Sequence, residues 1–248
     1  MNYLNKLVNT LNKSPITIDT FNELLEKNDT FFDNIELEKE LLISNGLPLY
    51  FSEDKVYLKT ATTDIKDQVF CVVDLETTAG NAKDGQIIEI GAVKIKNGQV
   101  IETYESLVNA NSIPRVVQEI TGITPEMVHK APNLRTVLEE FKIFLEDDIF
   151  VAHPILFDYK FINDSFKKYD LGELCNRRIC TIELSKKIID THRYGLKYLK
   201  EYLNIDIENH HRAFSDAMST AMILNHCLEN LPKDIQTSED LIKFSINK

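Results

Sequence analysis

Apolar residues recur three and four apart in Tyr3-Leu4, Leu7-Val8 and Leu11, the spacing of a helix with one buried face. The period returns after Thr17, in Ile18, Phe21, Leu24 and Leu25, and predicts a second helix. A third is expected from about residue 35 to 43, ending at Asn45-Gly46, where Asn and Gly accept the backbone turn that stops a helix. Residues 47–51 and 55–58 then read as two strands joined across Ser52-Glu53-Asp54.

From Gln68 the pattern becomes α/β. Residues 69–73 form a continuous apolar run of the buried-strand type. Residues 86–95 and 100–108 follow as a meander turning at Asn97-Gly98. Helical spacing covers about 114–120, 134–145, 156–168, 182–189, 196–203, 212–228 and 239–246, with short strands at 149–152 and 179–181. The chain therefore divides into a helical unit over 1–62, a polar linker over 63–67 and an α/β domain over 68–248. Three helices and a hairpin resemble a winged helix.

A hydrophobic fraction of 43% supplies a core for both units. Cys71, Cys175, Cys180 and Cys227 form no close pair, so no disulfide framework is expected and a reducing compartment fits. No apolar run could cross a bilayer, and the first residues have neither the basic start nor the apolar stretch of a signal peptide. The expectation is a cytoplasmic protein with no membrane partner.

The formal net charge of −11 argues against a firm grip on long duplex nucleic acid, which needs a basic face. Within residues 1–62, six lysines stand against ten acidic residues, and the third helix reads Glu36-Leu37-Glu38-Lys39-Glu40. Carboxylates there would repel phosphates, so this unit is expected to dock on protein.

Candidate chemistry lies in three segments. Asp74 and Glu76 stand two apart after Phe70-Cys71-Val72-Val73, so alternation points both to one face. Asp158 opens a helix in Val151-Ala152-His153-Pro154-Ile155-Leu156-Phe157-Asp158. His211 and Asp216 lie in His211-Arg212-Ala213-Phe214-Ser215-Asp216-Ala217, with His211 on a loop if Arg212 begins the helix. Each alone has an ordinary explanation: an exposed acidic pair, a helix cap, a structural histidine. Together they are four hard oxygen ligands, suited to Mg²⁺ or Mn²⁺ rather than zinc, and one histidine free to move a proton.

The three segments resemble, in order, the motifs of the DEDDh group of DnaQ-like exonucleases. Ile120-Thr121-Gly122-Ile123-Thr124 is similar to a loop of the polymerase III epsilon-type branch. Two positions depart: Gly80 lies one residue later than usual, and Pro154 replaces the usual Asn. His210 adjoins His211, but only His211 has the right spacing to Asp216.

The resemblance implies a ribonuclease-H-like mixed sheet flanked by helices and two divalent ions, Mg²⁺ or Mn²⁺, held by Asp74, Glu76, Asp158 and Asp216. It also implies His211 as general base and Leu75, Thr77, Thr78 and Phe157 at the terminal nucleotide. The implied reaction is 3′-to-5′ release of nucleoside 5′-monophosphates from single-stranded DNA ends in proofreading or repair, with a replicative polymerase as partner. Alternatives are an RNA-trimming enzyme of the RNase T or oligoribonuclease type and a non-catalytic scaffold on the same fold.

Overall fold

The computed structural model describes residues 3–26, 34–207 and 211–246; His210 lies outside them. Helices α1 (Tyr3–Leu11), α2 (Ile18–Glu26) and α3 (Ile35–Ser44) form as their periodicity predicts. Asn34 caps α3, its side chain accepting from the Glu36 and Leu37 N–H groups. Strands β2 (Leu49–Ser52) and β3 (Lys55–Leu58) make the predicted hairpin. A two-residue strand β1 (Ile16–Thr17), too short to announce itself by alternation, pairs antiparallel with β3. Leu7, Leu11, Phe21, Leu25, Leu47, Val56 and their neighbours close a core of their own.

Short helix α4 (Lys59–Thr62) and a 3₁₀ turn (Ile65–Asp67) lead into the second unit. Asp64 bridges to Thr237, Ile65 N–H donates to the Gln236 carbonyl, and Ser238 N–H donates to Thr63. The segment expected to be a linker is thus seated against the C-terminal helix. Beside it Glu239, 1% exposed, accepts hydrogen bonds from Arg177, Thr60 and Asn12. Burial of that carboxylate is tolerable only because donors surround it.

The larger sheet contains β4 (Phe70–Thr77), β5 (Ile87–Lys96), β6 (Gln99–Leu107), β7 (Ile149–Ala152) and β8 (Arg178–Cys180), in the order β6-β5-β4-β7-β8. The β4–β5 and β5–β6 pairs are antiparallel; β4–β7 and β7–β8 are parallel. Helices α5 (Arg115–Thr121) and α6 (Pro125–Val128) follow the meander. Then come α7 (Leu134–Leu145), α8 (Ile155–Lys168), α9 (Thr181–Ile188), α10 (Leu196–Tyr202), α11 (Ala213–Glu229) and α12 (Ser238–Ile246).

Alternation sorts the β4 side chains between two cores. Cys71, Val73 and Leu75 pack with α7 and α8, whereas Phe70 and Val72 pack with α9 to α12. All four cysteines are free, as expected. Among the described residues no helix is long and apolar enough to cross a membrane.

Candidate active site

The same alternation carries Asp74 and Glu76 to the side of the sheet that α11 covers. Both lie within β4 rather than beyond the end of its apolar run. Pairing with β5 extends the strand through them, with Asp74 opposite Gly91 and Glu76 opposite Glu89, before the register shifts between Glu76 and Thr77. Asp158 arrives from α8, which begins directly after β7, the parallel neighbour of β4. Its carboxylate is 3% exposed and accepts from its own backbone N–H and that of Leu75. Pro154, at the N-cap of α8, provides no side-chain cap.

The third segment enters from α11. Arg212 is its N-cap and Asp216 lies in its first turn, 7% exposed. His211 stays exposed on the preceding loop at φ 61°, and its backbone N–H donates to Asp216 Oδ2 at 3.1 Å. Ligand atoms of Glu76, His211 and Asp216 all lie within 4.8 Å of one another. The fold thus brings Glu76, His211 and Asp216 to one point, and Asp74 lies near enough to Asp158, Asp216 and Glu76 for their charges to act on it.

Their electrostatics follow from crowding acids into a partly dry site. Burial, reinforced by Asp158, Asp216, Glu76 and Glu89, holds the Asp74 carboxyl well above the usual carboxylate range. Burial also pushes Glu76 up to about 7, with Glu89 and Asp216 adding to the rise and Arg212 opposing it. Asp158 is raised to about 8, again mainly by burial, against the pull of its two backbone hydrogen bonds. Carboxylates that repel one another this strongly fit a divalent cation: its charge removes the repulsion, and hard oxygens suit Mg²⁺ or Mn²⁺. The histidine completes a donor set in which proton transfer and metal ligation can be separate duties.

The residues expected at the terminal nucleotide adjoin these acids in the chain. Leu75 turns its side chain into the core and presents its backbone to Asp158. Thr77 Oγ1 donates to the Ala79 carbonyl at 2.8 Å, and Thr78 Oγ1 accepts from Gln86 N–H at 2.9 Å. Phe157, in contact with Phe161, lines a cavity of about 290 Å³ together with Gly80, Ala82, Leu156 and Lys160. His153 Nδ1 lies 2.8 Å from Thr181 Oγ1, and burial lowers its pKa to about 4, so the ring is neutral near pH 7.

Sequence reasoning missed Glu89 and Arg212. Glu89 is 0% exposed and pairs with Arg212 beside Glu76. A lone acid inside Ile87-Ile88-Glu89-Ile90 was the available signal, since a charge in an apolar strand needs a partner.

A family model described as Exonuclease matches residues 71–224, and that span contains all five clustered residues. The PolC-type DNA polymerase III of Halalkalibacterium halodurans is 35% identical over 208 residues, covering 83% of this chain and 14% of the polymerase. That of Oceanobacillus iheyensis is 33% identical over 192 residues, covering 77% of this chain and 13% of the polymerase. The chain thus spans about an eighth to a seventh of the length of these relatives.

Among solved structures, exonuclease X in complex with 5′ overhanging duplex DNA aligns with a TM-score of 0.54 and 23% identity, over 71% of this chain and 99% of that one. E. coli exonuclease I in complex with a dA16 oligonucleotide aligns with a TM-score of 0.61 and 15% identity, over 72% of this chain and 43% of that one. At those identities the likeness is one of fold: a mixed sheet between helical layers. By motif order, site geometry and family match, the chain belongs to the exonuclease family, as a nuclease hydrolase on a ribonuclease-H-like fold.

Proposed function

We propose that this chain is a metal-dependent 3′-to-5′ exonuclease that removes nucleoside 5′-monophosphates from single-stranded DNA ends. The observation that carries the reading is the clustering of Glu76, His211 and Asp216, with Asp74 and Asp158 near enough to add their charges, from three separate elements. Similarity to a segment of PolC-type polymerases supports DNA as substrate and a replicative polymerase as partner.

Two divalent ions, when bound, would supply charge stabilisation for the attacking and leaving oxygens of the phosphodiester. Asp74, Glu76, Asp158 and Asp216 would hold these ions through their carboxylate oxygens. His211, exposed on its loop, takes the proton of the attacking water. Thr77, Thr78 and the Leu75 backbone border the terminal sugar, while Phe157 offers a ring for the base to stack upon. The N-terminal unit, read as winged-helix-like, presents exposed Glu36 and Glu40 on α3 and serves as a protein-docking module.

Digestion of matched 3′- and 5′-labelled DNA and RNA oligonucleotides with Mg²⁺ tests this. Wild-type protein should shorten DNA from the 3′ end and release mononucleotides, and Asp74→Ala should retain less than a few per cent of that rate. Faster cleavage of RNA would overturn the DNA assignment. Substantial activity in Asp74→Ala would overturn the site itself.

A further inference from the structure

Glu89 interrupts an otherwise apolar stretch of β5, and the proposed chemistry makes no use of it. Fully buried and opposite Glu76 in the antiparallel register, it would be costly as an unpaired charge. Its oxygens are saturated from a single short segment. Oε1 accepts from Arg212 Nε at 3.0 Å and Nη2 at 2.5 Å. Oε2 accepts from Arg212 Nε at 3.2 Å and from the Ala213 backbone N–H at 2.9 Å.

Arg212 is the N-cap of α11 and makes no side-chain bond to its own helix. A first-turn N–H, which a helix cannot pair internally, is thus satisfied from the neighbouring strand, by a negative charge suited to that end of the helix. Two residues along the same face, a Cβ on Gly91 would lie 2.2 Å from backbone atoms of Ala213 and Phe214. The helix backbone therefore rests directly on β5, seated at Gly91 and gripped by Glu89. His211 and Asp216 flank that grip in the chain, and they are joined by the His211 N–H bond to Asp216.

We infer that Glu89 is a positioning residue for the exonuclease reaction: through Arg212 and the Ala213 amide it sets His211 and Asp216 against Asp74 and Glu76. This rests on the metal-site reading above. A bidentate, desolvated carboxylate–guanidinium pair fixes angle as well as distance, which a simple charge balance beside the acids would not require. The two roles differ in what a lysine can do at position 212.

Glu89→Gln and Arg212→Lys, made in the full chain, decide between them. Arg212→Lys keeps the positive charge and loses the fork. Each variant should lower kcat about 10–100-fold, the range seen when a supporting partner of a metal ligand is removed. KM for a short single-stranded oligonucleotide should stay within about twofold. The double variant should be little worse than the weaker single one, as expected for two groups acting as a unit. In the metal-free protein, amide exchange across Ala213–Asp216 should quicken about tenfold while β4 keeps its protection.

Wild-type kcat and unchanged exchange in Arg212→Lys would overturn the inference, because charge alone would then suffice. If Glu89→Gln fails to fold, Arg212→Lys still decides. Asp74→Ala, assayed alongside, separates the two ideas: activity there defeats the metal-site reading, whereas an inactive Asp74→Ala beside a wild-type-like Arg212→Lys defeats only the positioning role.

Discussion

Removing one charge from the acidic cluster should stabilise the metal-free protein, and Glu76→Gln is the cleanest way to see it. Burial and the neighbouring Glu89 and Asp216 lift the Glu76 carboxyl from 4.5 to about 7. An acid whose pKa is raised on folding binds its proton more tightly in the folded chain. It therefore costs nothing below the unfolded pKa, and it destabilises progressively as pH rises from about 4.5 toward 7. A shift of that size corresponds to about 3 kcal/mol at 1.36 kcal/mol per pH unit, and solvent screening of this half-buried group reduces it to about 2 kcal/mol.

For a chain of this length that is roughly 4–8 °C in melting temperature. The assay is thermal unfolding in EDTA, wild type beside Glu76→Gln, at pH 5 and pH 8. The variant should melt higher at pH 8 and nearly together with wild type at pH 5. Adding Mn²⁺ should reverse the order, because only the wild-type cluster gains fully from the ion. Equal differences at both pH values would refute the reasoning, since the substitution would then act through packing and not through charge.

Two further outcomes follow from the geometry. His211→Ala should lower turnover by about 100-fold or more, the usual worth of a general base, while metal affinity measured by Mn²⁺ titration changes far less. Arg177→Ala should cost about 3–5 kcal/mol in urea unfolding, because it strands the buried carboxylate of Glu239. Much of that loss should return in the Arg177→Ala, Glu239→Gln double variant.

Particular elements show what was legible before any coordinates. Residues 134–145 and 149–152 take the structure their periodicity predicts, at those bounds, because an amphipathic helix and a buried strand state their burial residue by residue. Asp74 and Glu76 share a face for the same local reason. Strand β1 and helices α4 and α6, of two to four residues, are too short for any period to register. The segment 63–67 reads as a linker because it is polar, and its backbone hydrogen-bonds to residues 236–238, far along the chain, which no local pattern announces.

The chain's own pattern thus picked out the candidate acids and histidine, their order and the kinds of element that carry them. Local spacing is enough for that, since a side chain's direction follows from its place in a strand or helix turn. Tertiary structure alone decided how those elements register against one another. Glu89 meets Arg212 at a sequence separation of 123, and Glu239 meets Thr60 at one of 179. Neither pairing leaves a period to read, because each exists only where burial makes a solitary charge intolerable and the fold happens to deliver its partner.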